Sequence, residues 1–201
     1  MCIRDSRWAT HGAPTENNAH PHSDCSGDLV VVHNGIIENY GALRKELQVK
    51  GHRFSSDTDT EVLAHLIEEY LAGDLPAAVR KALARVEGSY AIGVLWAGEP
   101  QTIIAARNHS PLVIGVDDGA SFIASDIPAL LPYTRKVVFL DDLEMAVLRP
   151  NAIDFQSIAD GASLDKEVTT IDWSASMSEK SGYKHFMLKE IFEQPEAIIN
   201  T

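Results

Sequence analysis

The stretch SYAIGVLWAGEPQTIIAARNHSPLVIGVDDGASFIA, residues 89–124, decides the fold class. It contains four short runs rich in β-branched and apolar residues, at 89–96, 101–107, 112–116 and 120–124. Gly, Pro and Asp close each run, as at Asp117-Asp118-Gly119, which is the punctuation of strands rather than helices. Tight turns join neighbouring strands antiparallel. The series continues at 137–140, 144–148 and 152–155.

Upstream the period changes. Leu29 to His33 reads as one buried strand, and Asn34-Gly35 after it tolerates positive φ. Asn39 is placed to cap a helix over 40–50 that stops at Gly51 and buries Leu43 and Leu47. Thr58 and Glu61 have the spacing of a capping box, and Val62, Leu63, Leu66, Ile67, Tyr70 and Leu71 repeat behind them with helical period. Asp74 and Pro76 open a further helix with Val79, Leu83 and Val86 inward. Helices in a block among antiparallel strands give an α+β fold, not an alternating parallel one. Residues 161–182 are polar and Ser-rich, with one strand near 168–171, and read as a linker; an amphipathic helix begins near Tyr183.

The chain has 201 residues, 45% hydrophobic and 23% charged, enough apolar material for a packed core. Seventeen Lys and Arg against 29 Asp and Glu leave a net charge of −12. That excludes a nucleic-acid partner, which needs a basic face, and an anionic membrane surface for the same reason. No apolar run approaches the roughly 20 residues of a membrane span. Two cysteines, Cys2 and Cys25, make no disulfide framework; a cytoplasmic setting is expected.

Unusual polar residues gather in four places: Arg7-Trp8-Ala9-Thr10-His11-Gly12, Asn18-Ala19-His20-Pro21-His22, His33-Asn34-Gly35 and Asp57-Thr58-Asp59-Thr60. An Arg holds a carboxylate through two parallel hydrogen bonds, and an Asp holds an ammonium group. An Asn side chain beside a Gly backbone N–H offers two donors to one developing oxyanion. The set suits a small zwitterion. His11, His20, His22 and His33 invite a metal, but no His-Glu-x-x-His motif or Cys-x-x-Cys pair accompanies them. No metal and no cofactor are expected. Cys25, in a polar loop with no base adjacent in sequence, reads as an incidental exposed thiol.

These motifs, with Val32 to Asn39, Ser56 to Val62, Ser110 to Gly115, Phe122 to Asp126 and Tyr183-Lys184-His185-Phe186-Met187, resemble the glutaminase domain of the glutamine:fructose-6-phosphate aminotransferase family. The resemblance runs from Arg7 to Thr201. It implies an N-terminal-nucleophile hydrolase fold, a four-layer sandwich of helices flanking two antiparallel sheets. It divides the chain into a non-matching start (1–6), a class II glutamine amidotransferase domain (7–160), a linker (161–182) and the first helix of a sugar-isomerase half (183–201). It gives the oxyanion hole to Asn34 and Gly35, the glutamine α-carboxylate to Arg7 and the α-ammonium to Asp59. Thr10 and His11 fall in the same substrate-binding segment, and Trp8 in the loop that closes over glutamine. The implied partners are L-glutamine, fructose 6-phosphate through the C-terminal half, and further copies of the chain in a homo-oligomer.

The start departs from the family pattern. Family members begin Met-Cys-Gly-Ile, with the cysteine as nucleophile; here Cys2 is followed by Ile3 and stands five positions before Arg7. The reading is therefore a domain incomplete at its N-terminus, without a working nucleophile and inactive in isolation. The alternatives are another class II amidotransferase, of asparagine synthetase type, and a non-catalytic module that binds glutamine or glutamate.

Overall fold

The apolar run that begins at Leu29 does not stop at His33. Strand β2 spans Leu29–Ile37 and carries Asn34 and Gly35 inside it, not in a turn. The reason is its partner. Strand β3 (Gly88–Trp96) lies antiparallel along the whole of β2, from Leu29 opposite Trp96 to Ile37 opposite Gly88. A computed structural model describes residues 10–172, 183 and 185–199 of the chain.

Around β2 and β3 a seven-stranded sheet forms with β1 (His22–Ser23), β4 (Ile103–Asn108), β8 (Glu144–Arg149), β9 (Ala152–Ser157) and β10 (Ser163–Leu164), in the order β1-β2-β3-β4-β8-β9-β10. A four-stranded sheet has the order β11-β7-β5-β6, from β11 (Thr169–Thr170), β7 (Lys136–Phe139), β5 (Val113–Asp117) and β6 (Ala120–Ala124). Every strand pairing in both sheets is antiparallel. Helices α1 (Tyr40–Val49), α2 (Thr60–Tyr70) and α3 (Leu75–Leu83) follow one another between β2 and β3. This is the α+β architecture expected from the strand series.

The period of two along each central strand sorts its side chains between two cores. Tyr90, Ile92, Val94, Ile104, Ala106, Met145 and Val147 meet the helices at Leu63, Leu66, Ile67 and Val79. Their neighbours Ala91, Ala105, Ala146 and Leu148 face Ile114 and Val138 of the second sheet. Each large aliphatic side chain buried in this way contributes about 1.5–3 kcal/mol. At the centre of the larger sheet Ala91, Gly93, Ala105 and Ala146 are small because the sheets approach closely there: a Cβ on Gly93 would sit 2.6 Å from Ile123 Cδ1. On the far side, Val113 and Val137 pack with Ile127, Leu130 and Ile171, and among the described residues a 3-10 turn, Ile127–Ala129, covers this face.

Of the three expected helix starts, that at Asp74 forms as read, and those at Asn39 and Thr58 differ. Asp74 caps α3 by accepting the Ala77 N–H at 2.9 Å. Asn39 stands before α1 but makes no cap bond; its amide bridges Arg85 O (2.8 Å) and Glu87 N (3.1 Å), tying α1 to the approach of β3. The Thr58–Glu61 capping box does not form. The helix begins at Thr60, so Glu61 is its second residue, one short of the capping-box position, and it reaches back to Ser55 and Ser56 instead. The described part of the expected linker contributes edge strands to both sheets, β10 beside β9 and β11 beside β7. Residues 173–182 lie outside the described set. Helix α4 (Phe186–Ile199) exposes Met187, Ile191, Phe192 and Ile198.

Candidate active site

The second half of β2 runs beside the start of α2, and hydrogen bonds fix the two together. The Asp59 carboxylate accepts the Ile37 N–H through Oδ2 at 2.9 Å. His33 Nδ1 lies 2.9 Å from Thr60 Oγ1, and His20 Nε2 lies 3.2 Å from the same hydroxyl. Asp59 has helical angles at the helix start and makes no cap bond of its own, so its carboxylate serves the strand. Its other oxygen, Oδ1, is 3.7 Å from His11 Nδ1, and the His11 ring packs edge-on against Tyr40. Asp59 is buried, with the positive end of the α2 dipole behind it to offset the cost of its charge.

Asn18 holds the segment that carries Thr10 and His11. Its Nδ2 donates to Ala13 O at 3.0 Å and its Oδ1 accepts the Asp57 N–H at 2.9 Å. Gly12 adopts φ +74°, and a Cβ there would come within 2.7 Å of Asn18 Nδ2. The loop is thereby pressed onto residues 57–59. Thr10 is exposed and His11 half-buried.

Gly35 has φ +130°, and a Cβ on it would strike the Ser89 carbonyl and lie 2.9 Å from Ser110 Oγ. Only glycine fits there. Asn34 is exposed, and its Nδ2 donates to Ser125 Oγ at 2.7 Å, spanning from the larger sheet to the residue after β6. Ser89, Ser110 and Ser125 were given no role in the sequence reading, although two of them stand in quoted motifs. Ser110 and Ser125 stand within those motifs and Ser89 at the start of a strand run, and nothing local in the sequence marks any of them as a site residue.

Burial pushes the His33 imidazole down to about 4, against the pull of Asp59, so the ring is neutral at pH 7. Its Nε2 faces the Ser89 carbonyl at 3.5 Å, which can only accept. The proton is therefore assigned to Nε2, Nδ1 accepts from Thr60 Oγ1, and His20 Nε2–H donates to that hydroxyl. His22 Nε2 meets Thr58 Oγ1 at 3.1 Å. These histidines brace the α2 start through threonine hydroxyls. Tyr90 Oη, beneath β2, is buried without a hydrogen-bond partner among the described residues, and burial, with Asp142, pushes it up to about 12.

The structure thus brings Asp59, His11 and the Thr10 segment together, with Asn34 and Gly35 on the strand that Asp59 grips. Arg7 and Trp8, and Cys2 with them, lie outside the described residues. A separate group of metal-ligating side chains, Cys25, His52, His65 and Glu68, converges further along α2. No helix among the described residues is long and apolar enough to cross a membrane.

Residues 6–132 match a family described as "Glutamine amidotransferase domain". The chain is 55% identical over 198 residues to the glutamine–fructose-6-phosphate aminotransferase (isomerizing) of Pyrococcus horikoshii, covering 98% of this chain and 33% of the relative. It is 52% identical over 205 residues to the enzyme of that name from Methanothermobacter thermautotrophicus, covering all of this chain and 34% of the relative. The chain therefore spans about a third of the length of these relatives. Among solved structures it resembles the glutamine phosphoribosylpyrophosphate amidotransferase of B. subtilis, with TM-score 0.63 and 26% identity over 78% of this chain and 34% of that one.

Proposed function

The chain belongs to the glutamine amidotransferase domain family, and from that premise we propose that it binds L-glutamine as the ammonia-supplying part of a glutamine:fructose-6-phosphate aminotransferase. The observation that carries the reading is the buried Asp59 carboxylate, anchored to β2 at Ile37, two residues beyond Gly35, and beside His11. A buried carboxylate on a helix start is a strong partner for an ammonium group.

In this reading Asp59 holds the glutamine α-ammonium and Arg7 its α-carboxylate. Thr10 and His11 line the site, and Trp8 covers it. The side-chain amide then lies toward Asn34 and Gly35. When a nucleophile attacks the amide carbonyl, the oxygen becomes an oxyanion, and the Asn34 Nδ2–H and Gly35 N–H stabilise it. One such donor is worth roughly 2.7–4 kcal/mol of barrier. The Ser125 hydroxyl orients the Asn34 amide from the other sheet. Ammonia leaves, and water releases glutamate from the acyl intermediate. Conversion of fructose 6-phosphate to glucosamine 6-phosphate belongs to the remaining two thirds of a full-length homo-oligomeric, cytoplasmic enzyme, with residues 183–201 leading into it.

Calorimetric titration of the chain with L-glutamine and L-glutamate tests this. Saturable binding that Asp59→Asn weakens at least about tenfold is the expected result. No binding by the unaltered chain, or undiminished binding by the variant, would sink the assignment. Ammonia release that disappears in Cys2→Ala would make Cys2 the nucleophile after all; binding without release fits a chain lacking one.

A further inference from the structure

Four side chains from three separate segments meet beside α2. Cys25 comes from the turn before β2, His52 from the connection after α1, and His65 and Glu68 from one face of α2. Cys25 Sγ is 3.6 Å from His52 Nδ1 and 3.5 Å from His65 Nδ1. Glu68 Oε2 is 3.0 Å from His52 Nδ1 and 3.2 Å from His65 Nδ1. All four ligand atoms lie within 4.8 Å of one another.

These are four of the six edges of a tetrahedron of about the size zinc requires, and the other two are no longer than 4.8 Å. With Zn–S near ~2.3 Å, Zn–N near ~2.0 Å and Zn–O near ~2.1 Å, tetrahedral angles give S···N edges of about 3.5 Å and N···O edges of about 3.3 Å. The four edges above fall close to both values.

The back side of each ring points the same way. His52 Nε2 is 3.1 Å from Glu69 Oε2, and His65 Nε2 is 3.7 Å from Glu61 Oε1. The Glu69 carboxylate behind His52 favours the ring proton on Nε2 and directs Nδ1 inward, the arrangement that orients metal-ligating histidines, while Glu61 lies behind His65 beyond hydrogen-bond reach. Two imidazole lone pairs, a carboxylate oxygen and a sulfur then face one point. In the metal-free chain these atoms are linked by hydrogen bonds, and a divalent cation at their centre would displace those protons and take up the same lone pairs.

We propose that Cys25, His52, His65 and Glu68 form a closed, four-ligand Zn²⁺ site with a structural role. The ion joins the turn before β2, the α1–α2 connection and α2 itself. Glu61, behind His65, also accepts from the Ser55 and Ser56 backbone N–H groups. The bracing therefore extends through the segment that leads into Asp59, six residues and about 9 Å up the helix from His65. The proposal departs from the reading of Cys25 as an incidental thiol with no base nearby in sequence, and from the expectation of no metal. The bases stand 27 and 40 positions away in sequence; only the His65-x-x-Glu68 spacing was visible locally.

The test uses the whole chain, purified without chelator. Elemental analysis is expected to find about one Zn²⁺ per chain, falling below about a tenth in Cys25→Ser and in His52→Ala. His109→Ala, an exposed histidine on another element, keeps the metal. Co²⁺ added to the stripped chain gives a thiolate-to-cobalt charge-transfer band that Cys25→Ser lacks. Should a variant fail to fold, the stripped unaltered chain answers alone: Zn²⁺ raises its Tm by binding the native state. A chain that neither carries Zn²⁺ nor melts higher with it overturns the proposal. So does a cobalt spectrum without the thiolate band, or Zn²⁺ content unchanged in both ligand variants.

Discussion

The Asp59 carboxylate accepts the Ile37 backbone N–H at 2.9 Å, so the first turn of α2 and the end of β2 are held by a residue also proposed to bind substrate. Ile37 is fully buried, as is the carboxylate that meets it. The two roles separate by substitution. Asp59→Asn keeps an oxygen to accept the N–H but loses the charge. Glutamine affinity is expected to fall at least about tenfold, with little change in Tm, because a charged hydrogen bond is worth about 1.5–3 kcal/mol. Asp59→Ala leaves the N–H unpaired and costs about 1–3 kcal/mol of stability as well. Equal stability of the two variants in urea titration would contradict this division.

Gly35→Ala is expected to destabilise by more than about 2 kcal/mol, since left-handed backbone strain and a steric clash act together. The clash is with the Ser89 carbonyl, which is backbone and part of β3. Gly51→Ala is the control: φ is +101°, but a Cβ there meets nothing within 4 Å. Thermal melts should rank Gly35→Ala well below Gly51→Ala; similar values would mean that β3 yields easily.

Stability should fall in mild acid, and His33 is one reason. Burial holds its folded pKa at about 4, below the ordinary 6.5. As pH drops through 6.5 the unfolded chain takes up a proton that the folded chain refuses until about 4. Stability is thus complete above 6.5 and declines between 6.5 and 4, by on the order of 3 kcal/mol. Glu61 extends the decline below its ordinary 4.5: although burial opposes ionisation, the nearby His65 ring and bonds from Ser55 and Ser56 keep it well under the usual carboxylate range. Urea midpoints from pH 7.5 to 4 should show a shallower slope for His33→Gln. An unchanged slope would place the proton uptake elsewhere.

Tyr90→Phe is expected to leave stability unchanged or raise it by about 1 kcal/mol, because it removes a buried hydroxyl that has no partner. A loss greater than about 1 kcal/mol, read from Tm, would show that the hydroxyl is satisfied in solution.

The antiparallel α+β architecture is legible in the sequence, because the period of two after Ser89 and the helical period around Leu63 and Leu66 are properties of neighbouring residues. The polar clusters are legible there too, since Asn34-Gly35 and Asp59 stand in short motifs whose chemistry is local. Tertiary structure alone decided the rest. Asn34-Gly35 resembles a turn until β3 lies alongside and draws it into a strand. Glu61 resembles half of a capping box until the helix begins at Thr60 and turns it back to Ser55 and Ser56. Cys25 stands alone in sequence, and becomes one corner of a tetrahedron only when α2 packs against the turn before β2. Local periodicity fixes which face of an element is apolar, but hydrogen bonds and ligand sets between elements depend on distances that only packing creates.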